Sequence, residues 1–172
     1  MPVALAIAVL LLVLVVACAR AGGSEITWSG TKELVRSTFP EAPQMSVEEL
    51  ATRLTDGDTP LILDVREAEE YAVSHLPGAL HAQGEAVLEL AQQAEPGEQI
   101  VLYCSVGYRS SREAEKLLER GVRNVVNLEG SIFEWANAGH EVRRGGEAVE
   151  AVHPFDDEWG QLLDERLRSY EP

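Results

Sequence analysis

Ile100-Val101-Leu102-Tyr103-Cys104-Ser105-Val106-Gly107-Tyr108-Arg109-Ser110-Ser111 decides how the rest of this 172-residue chain is read. Four apolar residues form a run that suits a strand buried on both faces. The run stops at a cysteine, and a serine pair opens a helical pattern over Ser110 to Arg120, with Ala114, Leu117 and Leu118 on one face. Gly121 supplies its left-handed stop. Strand, loop and helix in that order are half of a βαβ unit.

Outward from this unit the pattern repeats. Leu61-Ile62-Leu63-Asp64-Val65 is a second apolar run, and Asn124 to Leu128 reads as another strand. Ala79 to Ala82 reads as a short strand. Helical stretches lie between them: Glu67 to Ser74, Glu85 to Ala94 and Ile132 to Ala138, stopped by Pro77-Gly78, Pro96-Gly97 and Gly139. Ser46-Val47-Glu48-Glu49 is a capping box that opens a helix with Val47, Leu50 and Leu54 on one face. Strands alternating with helices of about ten residues predict an α/β fold around a parallel sheet.

Composition limits the function. The 14 Lys and Arg against 29 Asp and Glu leave a net charge of −15, which repels nucleic-acid phosphates and anionic lipid. With two cysteines and four histidines at no ligand-type spacing, no metal site and no cofactor is expected. Pro2 to Ala19 carries no charge and would span ~27 Å as a helix. Residues 1–19 therefore read as a cleaved signal peptide, a lipoprotein signal with Cys18 as the acylated residue, or a retained membrane anchor. No Lys or Arg precedes this run, whereas Arg20, Lys32 and Arg36 follow it. Export, to a periplasm-like space, is the favoured expectation, and a retained span with a cytoplasmic domain is the alternative. Membrane contact is expected through this segment alone. Residues 20–45 read as a linker with a short helix over Thr31 to Ser37, residues 46–145 as the folded domain, and 146–172 as an acidic helical extension. In that extension Asp157 to Tyr170 places Trp159, Leu162, Leu163 and Leu167 at helical core spacing.

The chemistry concentrates at Cys104. Ligands of parallel α/β sheets sit beyond the carboxyl ends of the strands, where Cys104 lies. The following helix aims free N–H groups and its positive end at the loop. Gly107 lets the backbone curl there, and Arg109 adds a full positive charge. An ordinary thiol near pKa 8.5 is only ~3% ionised at pH 7. Such a cradle favours the thiolate and would equally hold a persulfide anion or an oxyanion. A cation in the first turn is poorly placed against the helix dipole, which points to an anionic ligand for Arg109. Ser110 and Ser111 read as helix caps.

Four blocks together carry a family likeness: Leu61-Ile62-Leu63-Asp64-Val65-Arg66-Glu67; Ser74-His75-Leu76-Pro77-Gly78-Ala79; Val101 to Ser110; and Val126 to Trp135 with Gly139. In this order they resemble the rhodanese-like domain over about residues 46 to 145. Phe39-Pro40, His153-Pro154-Phe155 and Trp159-Gly160 resemble parts of a single-domain subgroup. Ser74-His75 stands where Gly-His is commoner. The resemblance implies a central five-stranded parallel sheet flanked by helices. It implies Cys104 as a nucleophile that carries sulfane sulfur as a persulfide, and a substrate-binding loop of Ser105, Val106, Gly107, Tyr108, Arg109 and Ser110. Relatives that act on phosphate or arsenate carry one more residue between the Cys and the Arg, so the six residues from Cys104 to Arg109 suit a sulfurtransferase. The implied partners are a small sulfur-containing anion such as thiosulfate and a thiol or cyanide acceptor. A protein acceptor, with the chain as a sulfur carrier, is the alternative, and an oxyanion reductase or phosphatase is disfavoured. Asp64 and Arg66 are expected to support the site, Arg66 through an ion pair with Asp64 or Glu70 in preference to substrate contact. His75 is expected to fix a turn, and Phe133 and Trp135 to fill core or pocket wall.

Overall fold

A computed structural model describes residues 26–172. The readings of residues 1–19, with Cys18, lie outside the described residues. Among those described, no helix is long and apolar enough to cross a membrane.

The chain runs α1 (Trp28–Thr38), β1 (Gln44–Met45), α2 (Val47–Thr55), β2 (Leu61–Asp64), α3 (Ala68–Val73), β3 (Leu80–His81), α4 (Glu85–Ala91), β4 (Ile100–Tyr103), α5 (Tyr108–Glu119), β5 (Val125–Leu128) and α6 (Ser131–Asn137). A hairpin of β6 (Val142–Arg144) and β7 (Glu147–Val149) follows, then two 3-10 turns. Five strands form one sheet in the order β1-β5-β4-β2-β3. All its pairings are parallel, with Leu61 to Asp64 opposite Ile100 to Tyr103. The architecture is the expected α/β one.

The apolar runs are continuous because both faces of the sheet are covered. Ile62, Val101, Tyr103 and Leu128 point to one side, where they pack with Leu50 of α2, Ile132 and Phe133 of α6, and Leu162, Leu163 and Leu167 of the tail. Leu63, Ile100, Leu102, Cys104 and Val125 point to the other, against Val35 of α1, Val87 and Ala91 of α4, and Ala114 and Leu117 of α5. The period-2 alternation thus sends Tyr103 and Cys104 into opposite layers.

Two expectations are corrected here. The segment read as a linker with a short helix over Thr31 to Ser37 holds that helix within the longer α1, and it also supplies, in β1, an edge strand of the sheet, registered Gln44 to Asn127 and Met45 to Leu128. Thr27 caps α1 by accepting from the Gly30 amide, and Val35 and Phe39 are buried. Ordering this segment leaves no free linker before the domain in the described residues. The extension read as helical is not an α-helix. Trp159–Leu162 and Glu165–Leu167 are single 3-10 turns. The stretch between them bends so that all three leucines reach the core. The Val152 amide also donates to the Leu167 carbonyl at 2.7 Å, and that of Ser169 to the Val152 carbonyl at 3.1 Å. Apolar spacing at helical period is satisfied equally by an irregular strap closing over a core, and here tertiary burial decides.

Candidate active site

Strand β4 delivers Cys104 to the carboxyl end of the sheet, and the chain turns at once into α5. The turn is tied from below. The Cys104 amide donates to the Ser131 hydroxyl at 3.1 Å. The Cys104 and Ser105 carbonyls accept from the Ile132 and Phe133 amides at 3.2 and 3.1 Å. The first turn of α6 therefore holds the loop's backbone in place. Ser131 itself sits at φ 51°, a left-handed conformation unusual for serine, and its hydroxyl donates to the Leu128 carbonyl.

Gly107 is the N-cap of α5, at φ 103°. This corrects the reading of Ser110 and Ser111 as caps: α5 starts at Tyr108, two residues earlier than expected, and both serines lie fully buried inside its first turns. The Ser110 hydroxyl donates to Asn127 Oδ1 at 2.6 Å, and Asn127 in turn donates to Gln44 Oε1 at 2.6 Å. A side chain at Gly107 would meet Asn127 Nδ2 at 3.2 Å. Glycine is thus required by its backbone angle and by its neighbour. The Gly107 amide donates to Cys104 Sγ at 3.2 Å.

Cys104 is 1% exposed. Burial pushes its pKa up. The Arg109 guanidinium, the Ser110 hydroxyl and the amides of Ser110 and Gly107 outweigh that effect and leave the thiol below its ordinary value.

Arg109 has a partner that the sequence reading did not give it. Its Nη1 and Nη2 donate to the two carboxylate oxygens of Glu70, at 2.6 and 2.8 Å, and Nη2 also donates to the Ser105 hydroxyl at 2.9 Å. The Ser105 hydroxyl donates to Glu70 Oε1 at 2.9 Å. Glu70 is almost wholly buried on α3. Burial raises its pKa, and the Arg109 bonds and charge win, so the carboxyl is held below its usual range. The poor placement of Arg109 on the helix dipole is thus offset inside the protein. It is no longer an argument for an anionic ligand.

Asp64 and Arg66 form a separate, fully buried pair on the other side of the sheet's end. Arg66 Nη2 lies 2.6 Å from Asp64 Oδ2 and also donates to the Ser74 carbonyl at 2.6 Å. The Tyr103 hydroxyl donates to Asp64 Oδ2 at 2.5 Å while accepting from the Leu76 amide at 3.1 Å. This network ties β2, β4 and the turn after α3 together, and Arg66 does not reach the cysteine loop's cavity. His75 exchanges both backbone bonds with Arg143 and stacks on Tyr71 at 4.0 Å. Phe133 and Trp135 are buried in the core.

The sulfur opens onto a cavity of about 260 Å³ lined by Ser105, Val106, Tyr108, Arg109, Phe155 and Trp159. Of the loop residues expected to bind substrate, Ser105, Val106, Tyr108 and Arg109 face this space, while Gly107 and Ser110 act on the sulfur from beneath. Glu70, Asn127 and Ser131 were not read as site residues. The signal for Asn127 was available, because a polar residue inside the run Val125-Val126-Asn127-Leu128 needs a buried partner. Glu70 and Ser131 left no comparable trace.

A family model described as the rhodanese-like domain matches residues 46–138, just over half of the chain. Over 93 residues the chain is 30% identical to a Bacillus subtilis protein named "Putative sulfur carrier protein YrkF", covering 54% of this chain and 50% of that one. Over 96 residues it is 30% identical to a sulfurtransferase of Allochromatium vinosum, covering 56% of this chain and 90% of that one. Among solved structures, thiosulfate sulfurtransferase from Pseudomonas aeruginosa superposes with a TM-score of 0.59 at 25% identity, covering 78% of this chain and 26% of that one.

Proposed function

Since the chain belongs to the rhodanese-like domain family, we propose that it is a sulfurtransferase whose Cys104 accepts sulfane sulfur from a donor such as thiosulfate and passes it to a thiophilic acceptor. The reading rests on one observation: the Cys104 sulfur receives the Gly107 amide at 3.2 Å within a ring of groups that lower its pKa. A thiol whose pKa is lowered carries more thiolate near neutral pH and is the better nucleophile for it.

The proposed chemistry runs in two displacements. The Cys104 thiolate attacks the outer sulfur of thiosulfate. A sulfur–sulfur bond forms, the donor's own sulfur–sulfur bond breaks, and sulfite leaves with the electron pair. The product on the protein is a persulfide anion, one sulfur longer and still singly negative. The loop amides and Arg109 then hold charge spread over two sulfurs. An acceptor thiolate or cyanide attacks the outer sulfur and releases the Cys104 thiolate. Each half-reaction conserves charge and needs no outside oxidant. Ping-pong kinetics follow.

The test is intact mass after incubation with thiosulfate. The full chain is expected to gain one sulfur atom, cyanide is expected to remove it, and Cys104→Ser is expected to gain none. A chain that stays unloaded with thiosulfate and with an organic thiosulfonate alike overturns the reading. A second reading, a sulfur carrier serving a protein acceptor, is supported by the name of the Bacillus subtilis relative. Loading without turnover on cyanide or small thiols would favour it. The proposed setting remains export, with residues 1–19 as signal or anchor.

A further inference from the structure

The wall of the cavity facing Cys104 comes from the tail, outside the matched domain. The sequence there is Phe155-Asp156-Asp157-Glu158-Trp159. Phe155 and Trp159 both line the cavity, together with Val106 and Tyr108. Phe155 is 42% exposed, a large apolar side chain at the mouth of the site. Its ring centroid lies 4.8 Å from Arg109 Cζ, so it sits over the guanidinium.

Phe155 is held there against its backbone preference. It adopts φ 68°, which is rare and costly for a bulky residue. Strain of this kind persists only where neighbours impose it, and it gathers at functional sites. The neighbours are identifiable. The Phe155 amide donates to His153 Nδ1 at 3.0 Å, and the Trp159 amide to Asp156 Oδ1 at 2.7 Å. Pro154 packs so tightly on Gly160 that a Cβ there would lie 3.0 Å from the proline ring. Leu162, Leu163 and Leu167 anchor the strap in the core. The aromatic mouth therefore stands on a fixed base.

Its charge environment is equally particular. The charge of Arg109 is already paired, Nη1 and Nη2 each donating to the Glu70 carboxylate. Three carboxylate residues separate the two aromatics, and the whole chain carries −15. A doubly charged donor meets no uncompensated cation at this mouth. The volume, about 260 Å³, is also roughly nine times a water's share of about 30 Å³. That leaves room for an organic body that thiosulfate lacks.

We infer that Phe155, with Trp159 beside it, is a specificity-determining residue that selects sulfane donors with an apolar, preferably aromatic, body and a single negative charge over thiosulfate. The inference rests on sulfur transfer through Cys104. For an aryl thiosulfonate the thiolate forms a bond to the terminal sulfur, the sulfonyl–sulfur bond breaks, and the arylsulfinate leaves with the electron pair. Two negative charges enter the step and two leave it.

The experiment compares kcat/KM of the full chain for benzenethiosulfonate and thiosulfate, with cyanide as acceptor and the uncatalysed rate subtracted. The expected preference for the aryl donor is at least about tenfold, in the range one apolar pocket contact supplies. Phe155→Gly removes the ring and relieves the left-handed strain, so it is expected to fold, checked by thermal melting. Its preference for the aryl donor is expected to fall at least about fivefold, and Phe155→Tyr is expected to keep it. Equal use of both donors, or a ratio unmoved in Phe155→Gly, overturns the inference. If either donor still adds one sulfur to Cys104, the sulfur-transfer reading survives that failure; if neither does, both fall.

Discussion

Glu70 of α3 closes a two-bond fork on Arg109 of α5, at 2.6 and 2.8 Å, with the Ser105 hydroxyl bonded to both. One residue of the cysteine loop is thereby locked between an acid and a base that come from different helices. The pair sets the electrostatics of the sulfur: Arg109 lowers the thiol's pKa, and Glu70 fixes where Arg109 can be.

Arg109→Ala is therefore expected to act first on the thiolate. Alkylation of Cys104 by iodoacetamide, followed from pH 5 to 10, should move its midpoint upward relative to the parent chain. The loss in kcat/KM should be one to two orders of magnitude, on the order of 1.5–3 kcal/mol for interactions with a charged group. A midpoint that stays put removes Arg109 from thiol activation.

The Glu70 carboxyl, held low in the folded chain, fixes the sign of an acid effect. A depressed folded pKa contributes stability that is complete above the unfolded value near 4.3 and is lost as pH falls through the lower folded value. Glu70→Gln has no such group. Urea unfolding of both proteins from pH 7 to 3 should show the largest advantage of the parent at neutral pH and a shrinking one in acid. A difference that is flat across this range contradicts the assignment.

Tyr103→Phe is expected to cost about 1–3 kcal/mol. The hydroxyl both satisfies the buried Leu76 amide and donates to Asp64, so its loss orphans one buried donor and weakens the Asp64–Arg66 pair. Chemical denaturation measures this directly. Alkylation of Cys104 should change little, because Tyr103 points into the opposite layer.

Gly107→Ala should damage both stability and reactivity. The residue would carry a Cβ at φ 103°, 3.2 Å from Asn127 Nδ2. The expected cost is about 1–3 kcal/mol. Displacement of the Gly107 amide from the sulfur should also slow alkylation at pH 7. Asn127→Ala in the same background relieves the crowding but not the angle, so recovery should be partial.

Much of this molecule is written locally. The apolar runs Leu61–Leu63 and Ile100–Tyr103 are too uniformly apolar for a half-exposed strand, so a sheet covered on both sides is legible from them alone. The helix stops at Pro77-Gly78, Gly121 and Gly139 act through their own backbone, which needs no knowledge of the rest. Cys104 could be singled out because strand-end position, Gly107 and Arg109 are neighbours in sequence. Nearness in the chain is enough to imply a cradle.

What lies far apart in the chain was decided only by folding. Glu70 meets Arg109 across 39 positions, and nothing in the local pattern of α3 says which of its carboxylates turns inward. Gln44 joins the sheet through an edge strand of two residues, too short to leave a period. The tail's leucines have helical spacing, yet the strap is irregular because burying three side chains in one place outweighs the propensity of an acidic segment. Patterning along the chain specifies which residues must leave water. Which partners they find, and hence that an acid neutralises Arg109 while two aromatics close over Cys104, depends on the packing of the whole domain.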